Sequence, residues 1–147
     1  MTKSIQKKIL QYNAKDLFEI VIDIEKYPDF IPWCSDSIII DKKKNKIIAD
    51  LTVSYKLFNE TFRSFVNFNK KNLNININYT EGPLKSLQTN WQFKKINNNK
   101  TEVIFDIDII FKFWFFNKLL KNFYNLIEDK MIEAFEKRAF DLLSKNS

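Results

Sequence analysis

A period-two alternation of apolar and polar residues runs, with short interruptions, from Ser35 to Phe113, and it constrains this chain more than any other feature. Ala49, Leu51, Val53, Tyr55 and Leu57 alternate with Asp50, Thr52, Ser54 and Lys56. Phe62, Ser64, Val66 and Phe68 alternate with Thr61, Arg63 and Asn67. Leu73, Ile75, Ile77 and Tyr79 alternate with Asn74, Asn76 and Asn78. Leu87, Trp91 and Phe93 alternate with Gln88, Asn90, Gln92 and Lys94. Val103, Phe105, Ile107, Ile109 and Phe111 alternate with Asp106, Asp108 and Lys112. Successive side chains of a strand point to opposite faces, so this pattern specifies an antiparallel sheet with one apolar and one wetted face.

Polar clusters at Lys42–Lys46, Asn69–Asn72 and Asn97–Lys100 predict hairpins. The Phe58-Asn59 and Glu81-Gly82-Pro83-Leu84 segments predict the turns between them. In an up-and-down meander, alternate hairpins share an end. One end of the sheet is therefore basic and polar. The other carries the Phe113–Phe116 run and is apolar and aromatic.

The flanks read differently. Residues 3–11 alternate loosely and predict a further strand. Asn13 suits an N-cap, with Asp16 in the first turn, and Leu17, Phe18, Ile20, Val21 and Ile24 follow at helical spacing. The spacing predicts a helix over 14–24. Pro28 and Pro32 then punctuate a short helix and a turn. After Phe116 the helical period returns, with Phe116, Leu119, Leu120, Phe123, Ile127, Met131, Phe135 and Leu142 on one stripe. This predicts a helix of about 28 residues, roughly 40 Å long at ~1.5 Å per residue. Its apolar stripe needs a partner, and the sheet is the one large apolar face available. The predicted fold class is α+β: a strand, two short helices, a six-stranded antiparallel meander and a long C-terminal helix across the curved sheet. No linker, repeat or low-complexity segment divides the 147 residues, so residues 1–147 read as a single domain.

Composition narrows the chemistry. The chain has no His and one Cys, Cys34. The usual general base near neutral pH, an internal disulfide and a cysteine metal cluster are all missing. No cofactor and no metal are expected, and catalysis is not. The net charge is +6, and Arg63 and Arg138 are the only arginines among 24 basic residues. Readers of DNA bases lean on Arg, so no DNA partner is expected. The excess of Lys, Asn and Ile is also what an AT-rich coding bias produces. No segment is both long and apolar enough to span a bilayer, and Met1–Leu10 has no signal-peptide pattern, so a bacterial cytoplasmic location is expected.

A strongly curved sheet of long strands wraps a straight helix and leaves a cavity lined by both. The expected sheet lining is Leu51, Val53, Tyr55, Phe62, Ser64, Val66, Ile75, Ile77, Tyr79, Leu87, Trp91, Phe93, Phe105, Ile107 and Ile109. Phe30 and Trp33 join it from the proline-rich corner, and Phe123, Ile127, Met131 and Phe135 from the helix. Ligand sites are apolar with a few polar groups that fix orientation, and Ser64, Tyr55 and Tyr79 suit a polar-headed lipid. Ser64 equally suits a hydrogen bond within the core. Phe58, Gly82, Pro83, Leu84, Phe116 and Leu120 are expected at the mouth as a gate. Gly82-Pro83 is alternatively a plain turn. Trp114 and Phe115, with Lys118 and Lys121, suit docking on a membrane, where aromatics sit at headgroup level and Lys meets anionic lipid. Trp114 could instead pack on the first helix or on a dimer partner. Trp33 and Cys34 either seal the pocket or form a structural corner. The lysine hairpins supply phosphate contacts, or are solvated turns. Asp106 and Asp108 alternate on the wetted face, away from the pocket.

Tyr27-Pro28-Asp29-Phe30-Ile31-Pro32-Trp33-Cys34 resembles the YPxFxPWC signature of the coenzyme Q-binding protein family in the START-like, helix-grip superfamily. Thr61–Val66 resembles that family's strand with Ser-x-Val. Gly82-Pro83-Leu84 with Leu87 and Trp91-Gln92-Phe93 resembles its GPF-x-x-L-x-x-x-W-x-F, with Leu84 where Phe is common. Ala134-Phe135-Glu136-Lys137-Arg138-Ala139 resembles its AFxxRA. The matches come in order and cover about residues 3–143. The resemblance implies a helix-grip fold that binds ubiquinone or a related isoprenoid lipid, as a carrier or chaperone supporting respiratory electron transport. It implies peripheral contact with the inner face of the cytoplasmic membrane. A related group in the superfamily is a ribosome-association toxin, which makes the large ribosomal subunit the alternative partner and inhibition of translation initiation the alternative role.

Overall fold

The computed structural model describes residues 2–111 and 117–144, with side chains for 3–110 and 121–144. Strand β1 is Thr2–Leu10. Helix α1, Ala14–Ile22, starts where the Asn13 side chain accepts hydrogen bonds from the backbone amides of Lys15 and Asp16, at 2.9 and 3.3 Å. Helix α1 stops two residues before the predicted boundary. Asp23 leaves helical geometry, and Ile24–Asp29 continues as a 3-10 helix that contains Pro28. The Tyr27 hydroxyl donates to the Val21 carbonyl and locks this segment back on α1.

The meander follows as β2 (Cys34–Lys43), β3 (Lys46–Tyr55), β4 (Phe58–Asn69), β5 (Asn74–Glu81), β6 (Leu84–Asn97) and β7 (Lys100–Phe111). Helix α2 spans Asn117–Leu143, 27 residues. The seven strands form one antiparallel sheet in the order β1-β7-β6-β5-β4-β3-β2. The alternation predicts this architecture, and the fold is the α+β helix-grip arrangement.

Three local expectations are corrected. The β3–β4 turn is Lys56-Leu57, not Phe58-Asn59. Tyr55 pairs with Phe58 across a two-residue loop in which Lys56 takes φ 54°, so Leu57 leaves the inward row and stands 99% exposed. Leu73 is a turn residue with φ 55°, not a strand residue. Leu142, placed on the buried stripe, is 45% exposed, while its neighbour Leu143 packs against the core in its place.

The inward face is not uniform along the strands. Near the lysine hairpins α1 covers it: the Phe18 ring, fully buried, packs edge-on to Phe93 at 6.0 Å and against Phe68 at 6.3 Å. Toward the other end α1 is absent, and α2 faces the sheet together with the 3-10 segment and the proline-rich corner. That difference decides where a void can exist.

Candidate ligand cavity

The cavity lies between α2 and the inward rows of the sheet and has a volume of about 160 Å³. Its floor is built by paired residues on neighbouring strands. Val66, Ile77, Thr89 and Ile107 form one continuous row, and the next inward row brings Ser64 and Ile109. Leu51, Val53, Phe62, Leu84 and Leu87 complete the floor, and Phe123, Ile127, Met131 and Phe135 of α2 form the roof. Trp33 lines the wall from the proline-rich corner. Toward α1 the void is closed by Trp91, whose ring meets Phe105 at 4.6 Å and Phe135 edge-on at 5.1 Å. At the opposite end Tyr55, Phe58 and Trp33 gather around Phe123, with ring centroids 5.3, 6.4 and 6.2 Å away.

Several expected lining residues lie elsewhere. Ile75 and Phe93 face inward as their parity demands, but Phe93 sits in the layer plugged by Phe18 of α1, and Ile75, paired with Trp91, is buried without lining the void. Phe30 is outside the cavity, edge-on to Phe135 at 5.1 Å and under the Arg138 guanidinium at 5.1 Å. Tyr55 stacks on Phe123 without reaching the void. The Tyr79 hydroxyl accepts the Leu84 backbone amide at 2.9 Å and so closes the β5–β6 turn. Gly82 in that turn has φ 145°, and a Cβ there would meet Thr61 O and the Tyr79 ring at 3.0 Å. This geometry makes Gly82 a structural requirement of the turn.

Of the gate residues, Leu84 lines the cavity, Phe58 is buried in its strand, and Gly82 and Pro83 form the turn outside it. Trp114, Phe115 and Phe116 lie outside the described residues. Leu120 and Lys118 are in α2 with side chains outside the described set, and Lys121 is exposed.

Five lining residues were not anticipated, Ile24, Tyr27, Ile31, Thr89 and Tyr124, while Cys34 lines the cavity beside Trp33, one of the two roles the sequence offered for it. Thr89 sits between Leu87 and Trp91 on the inward parity, so alternation could have found it. Ile24, Tyr27 and Ile31 share one face at helical spacing. Tyr124 precedes Ile127 by three residues on α2, a pair that meets on one helix face.

The cavity is almost wholly apolar, and its polar groups are hydroxyls and one thiol. Burial pushes the Cys34 thiol up to about 11, while its sulfur donates to the Asp36 carbonyl at 3.4 Å. The thiol is therefore un-ionised at neutral pH and unsuited to attack as a nucleophile. Burial also raises the Tyr27, Tyr79 and Tyr124 phenols, which stay neutral. Tyr124 is 5% exposed, and its hydroxyl makes no hydrogen bond. Ser4 Oγ of β1 and the Glu128 carboxylate lie beside it without bonding geometry, and Ser4 Oγ is itself buried and unpaired. Asp50 is on the wetted face, in a two-pronged pair with Arg63 at 2.8 and 2.9 Å. Asp106 accepts from the Asn90 amide at 2.9 Å. Neither carboxylate faces the cavity.

Residues 10–136 match the family model described as polyketide cyclase / dehydrase and lipid transport. The chain belongs to this family. Its fold is START-like, as the sequence motifs imply. The chain is 34% identical to the ribosome association toxin RatA of Rickettsia prowazekii over 92% of this chain and 94% of that one. It is 31% identical to the mitochondrial coenzyme Q-binding protein COQ10 of Dictyostelium discoideum over 100% of this chain and 73% of that one. The Zhui aromatase/cyclase of Streptomyces sp. R1128 superposes with a TM-score of 0.84 at 12% identity, covering 98% of both chains, which speaks for the fold alone. No helix among the described residues is long and apolar enough to cross a membrane.

Proposed function

We propose that this protein binds ubiquinone or a related isoprenoid lipid by its head group, as a carrier or chaperone that supports respiratory electron transport, and not as a catalyst. The observation that carries this reading is the cavity, walled almost wholly by apolar and aromatic side chains, with Tyr124, whose hydroxyl is unpaired, among its lining residues. Size sharpens it. An apolar void of roughly 150 Å³ accommodates one benzene-sized ring. A void of about 160 Å³ thus suits a single-ring head and leaves a polyprenyl tail to run outside or to wait for α2 to move. The name of the Dictyostelium relative points the same way. On this reading contact with the membrane is peripheral.

The test is organic extraction of the purified protein followed by mass spectrometry, with a short-tailed ubiquinone titrated in a thermal-shift assay. The expected results are a co-purified isoprenoid lipid and a concentration-dependent rise in Tm. Protein that is reproducibly empty and unmoved by the quinone would sink the proposal.

A second reading, association with the large ribosomal subunit and inhibition of translation initiation, has its own support. The Rickettsia relative, 34% identical, is named a ribosome association toxin. Cosedimentation with large subunits at low salt tests it, and absence from the subunit fraction ends it.

A further inference from the structure

The three hairpins predicted to share one end do so, and they hold the positive charge of the protein. Lys42, Lys43, Lys44 and Lys46 belong to β2–β3, Lys70 and Lys71 to β4–β5, and Lys94, Lys95 and Lys100 to β6–β7. Across residues 41–46, 69–72 and 94–102 these nine lysines face two acids, Asp41 and Glu102, a net charge of 9 − 2 = +7. The whole chain carries +6, so everything outside this end sums to −1. Eight of the nine are exposed, Lys100 is partly so, and the ion pairs of the described residues use none of them. A coding bias toward lysine would scatter charge over the surface. It does not account for an excess confined to one edge.

The edge is also pre-shaped. The Asn69 side chain accepts from the Lys71 and Asn72 amides, both at 2.9 Å, and the Asn97 side chain accepts from the Asn99 amide at 2.8 Å. The tips are tied to neighbouring strands: Phe68 N donates to the Asn45 carbonyl and Phe93 N to the Leu73 carbonyl, each at 3.1 Å. The Asn13 side chain donates to the Asn98 carbonyl at 3.0 Å and anchors the start of α1 to the same edge. Successive hairpins lie two strands apart, which is ~10 Å, so the outer pair spans ~20 Å.

We propose that this three-hairpin edge is a docking surface for the phosphate backbone of double-helical RNA, and that it is the surface used if the ribosome-association reading holds. Lysine supplies point charges to phosphates, and asparagine amides add neutral donors. The bidentate arginine that reads base edges is absent from these hairpins, so contact is to backbone and shape, not to sequence. An anionic bilayer fits less well. These turns carry Asn and Lys and present no aromatic to enter the headgroup layer, and the fully exposed Leu57 is at the opposite end of the sheet.

The probe is a fluorescein-labelled RNA duplex of about 20 base pairs, read by anisotropy. With about four phosphates engaged, affinity falls on the order of 10²-fold between about 50 and 200 mM salt. Replacing the lysines of any one hairpin by Gln weakens binding and flattens the salt slope, with Tm unchanged. Lys56→Gln with Lys85→Gln, at the other end, leaves binding intact. Duplex binding that survives neutralisation of all three hairpins overturns the proposal. So does tighter binding to a DNA duplex, or lysine-dependent binding to phosphatidylserine vesicles with none to RNA. Ribosome cosedimentation separates the two levels. Wild-type cosedimentation that ignores the hairpin variants overturns the surface and spares the ribosome reading. Hairpin-dependent duplex binding without cosedimentation supports the surface and removes that reading.

Discussion

Tyr124→Phe is expected to stabilise the empty protein and to weaken its grip on a quinone. The substitution removes one oxygen and keeps the ring, which lines the cavity and is 5% exposed. The oxygen it removes is buried without a hydrogen bond. A buried, unsatisfied hydroxyl costs ~1–3 kcal/mol, and replacing it with an apolar group of the same shape recovers part of that. A gain of ~1 kcal/mol is a fair working figure. Unfolding entropy is ~2.1 cal/mol/K per residue, or about 0.3 kcal/mol/K for 147 residues, so Tm should rise by ~3 °C. The bound state responds in the opposite sense. A ligand at ~100 times its Kd adds ~2.7 kcal/mol of stability, a shift of about 9 °C on the same scale. If the phenol donates to a ligand carbonyl, its loss forfeits ~1 kcal/mol and raises Kd about fivefold. Differential scanning calorimetry on delipidated protein, with and without a short-tailed ubiquinone, reads both effects. A Tm that falls in the variant would mean that the hydroxyl is paired after all. An unchanged quinone shift would mean that the ligand's polar group is elsewhere, and would undercut the proposed orientation of the head.

Three other perturbations follow from the geometry. Gly82→Ala forces a Cβ into a φ of 145° and into 3.0 Å contact with a carbonyl and a ring, so urea denaturation should report a loss of ~1–3 kcal/mol. The Cys34 thiol, raised to about 11 by burial, contributes stability that is fully present below the unfolded value near ~8.5 and is lost as pH rises toward 11. Folded protein should therefore react with iodoacetamide at pH 8 far more slowly than unfolded protein, and equal rates would refute its burial. The Arg63 guanidinium holds the Asp50 carboxyl below its usual range, so this pair contributes above the unfolded value near ~3.9 and its contribution vanishes as pH falls further. Asp50→Asn should lower Tm at pH 7 and converge with wild type at pH 2–3, and a gap that persists in acid would point to another cause.

Parity was legible in the sequence, and depth was not. Alternation assigns each strand residue to a face, and the faces of Leu51, Ser64, Ile77 and Ile107 follow from it. It does not say which inward residues lie over a void. Phe93 has the same parity as Trp91, yet Phe18 of α1 plugs its layer, and Ile75, level with Trp91, is buried without lining the void. Where α1 rests is a tertiary fact. The same limit explains Phe30, drawn out of the cavity by the rings of Tyr27 and Phe135 and by Arg138. Leu57 fooled the period because a two-residue turn with one left-handed residue ends a strand without any Gly, Pro or Asn to announce it. Thr89 and Tyr124 were missed for a different reason. Thr89 lies in the polar run Gln88-Thr89-Asn90, where nothing apolar marks the inward position, and Tyr124 lies beside Phe123, one position off the helical stripe.

The cavity and the lysine edge stand far enough apart to be separable in one molecule. Ile107, in the middle of the floor, is seven positions along β7 from Lys100, about 24 Å at ~3.4 Å per residue, whereas Trp91, the wall on the α1 side, is three positions along β6 from Lys94, about 10 Å. These are about three Debye lengths and about one at physiological salt, ~8 Å each. Exposed lysines at the edge therefore exert almost no direct field on a neutral head seated near Ile107, and a neutral ligand there leaves the edge's charge unaltered. Neutralising the hairpins should leave the quinone-induced Tm shift as it was, and Tyr124→Phe should leave RNA binding as it was. A cross-effect in either direction would have to travel through the structure. The route is identifiable: the lysine edge is tied to α1 through Asn13 and Asn98, and α1 plugs the layer next to Trp91 through Phe18 and Phe93. Coupling that is abolished by Asn13→Ala would place it on that path, and complete independence would mean that one small fold carries two surfaces without linking them.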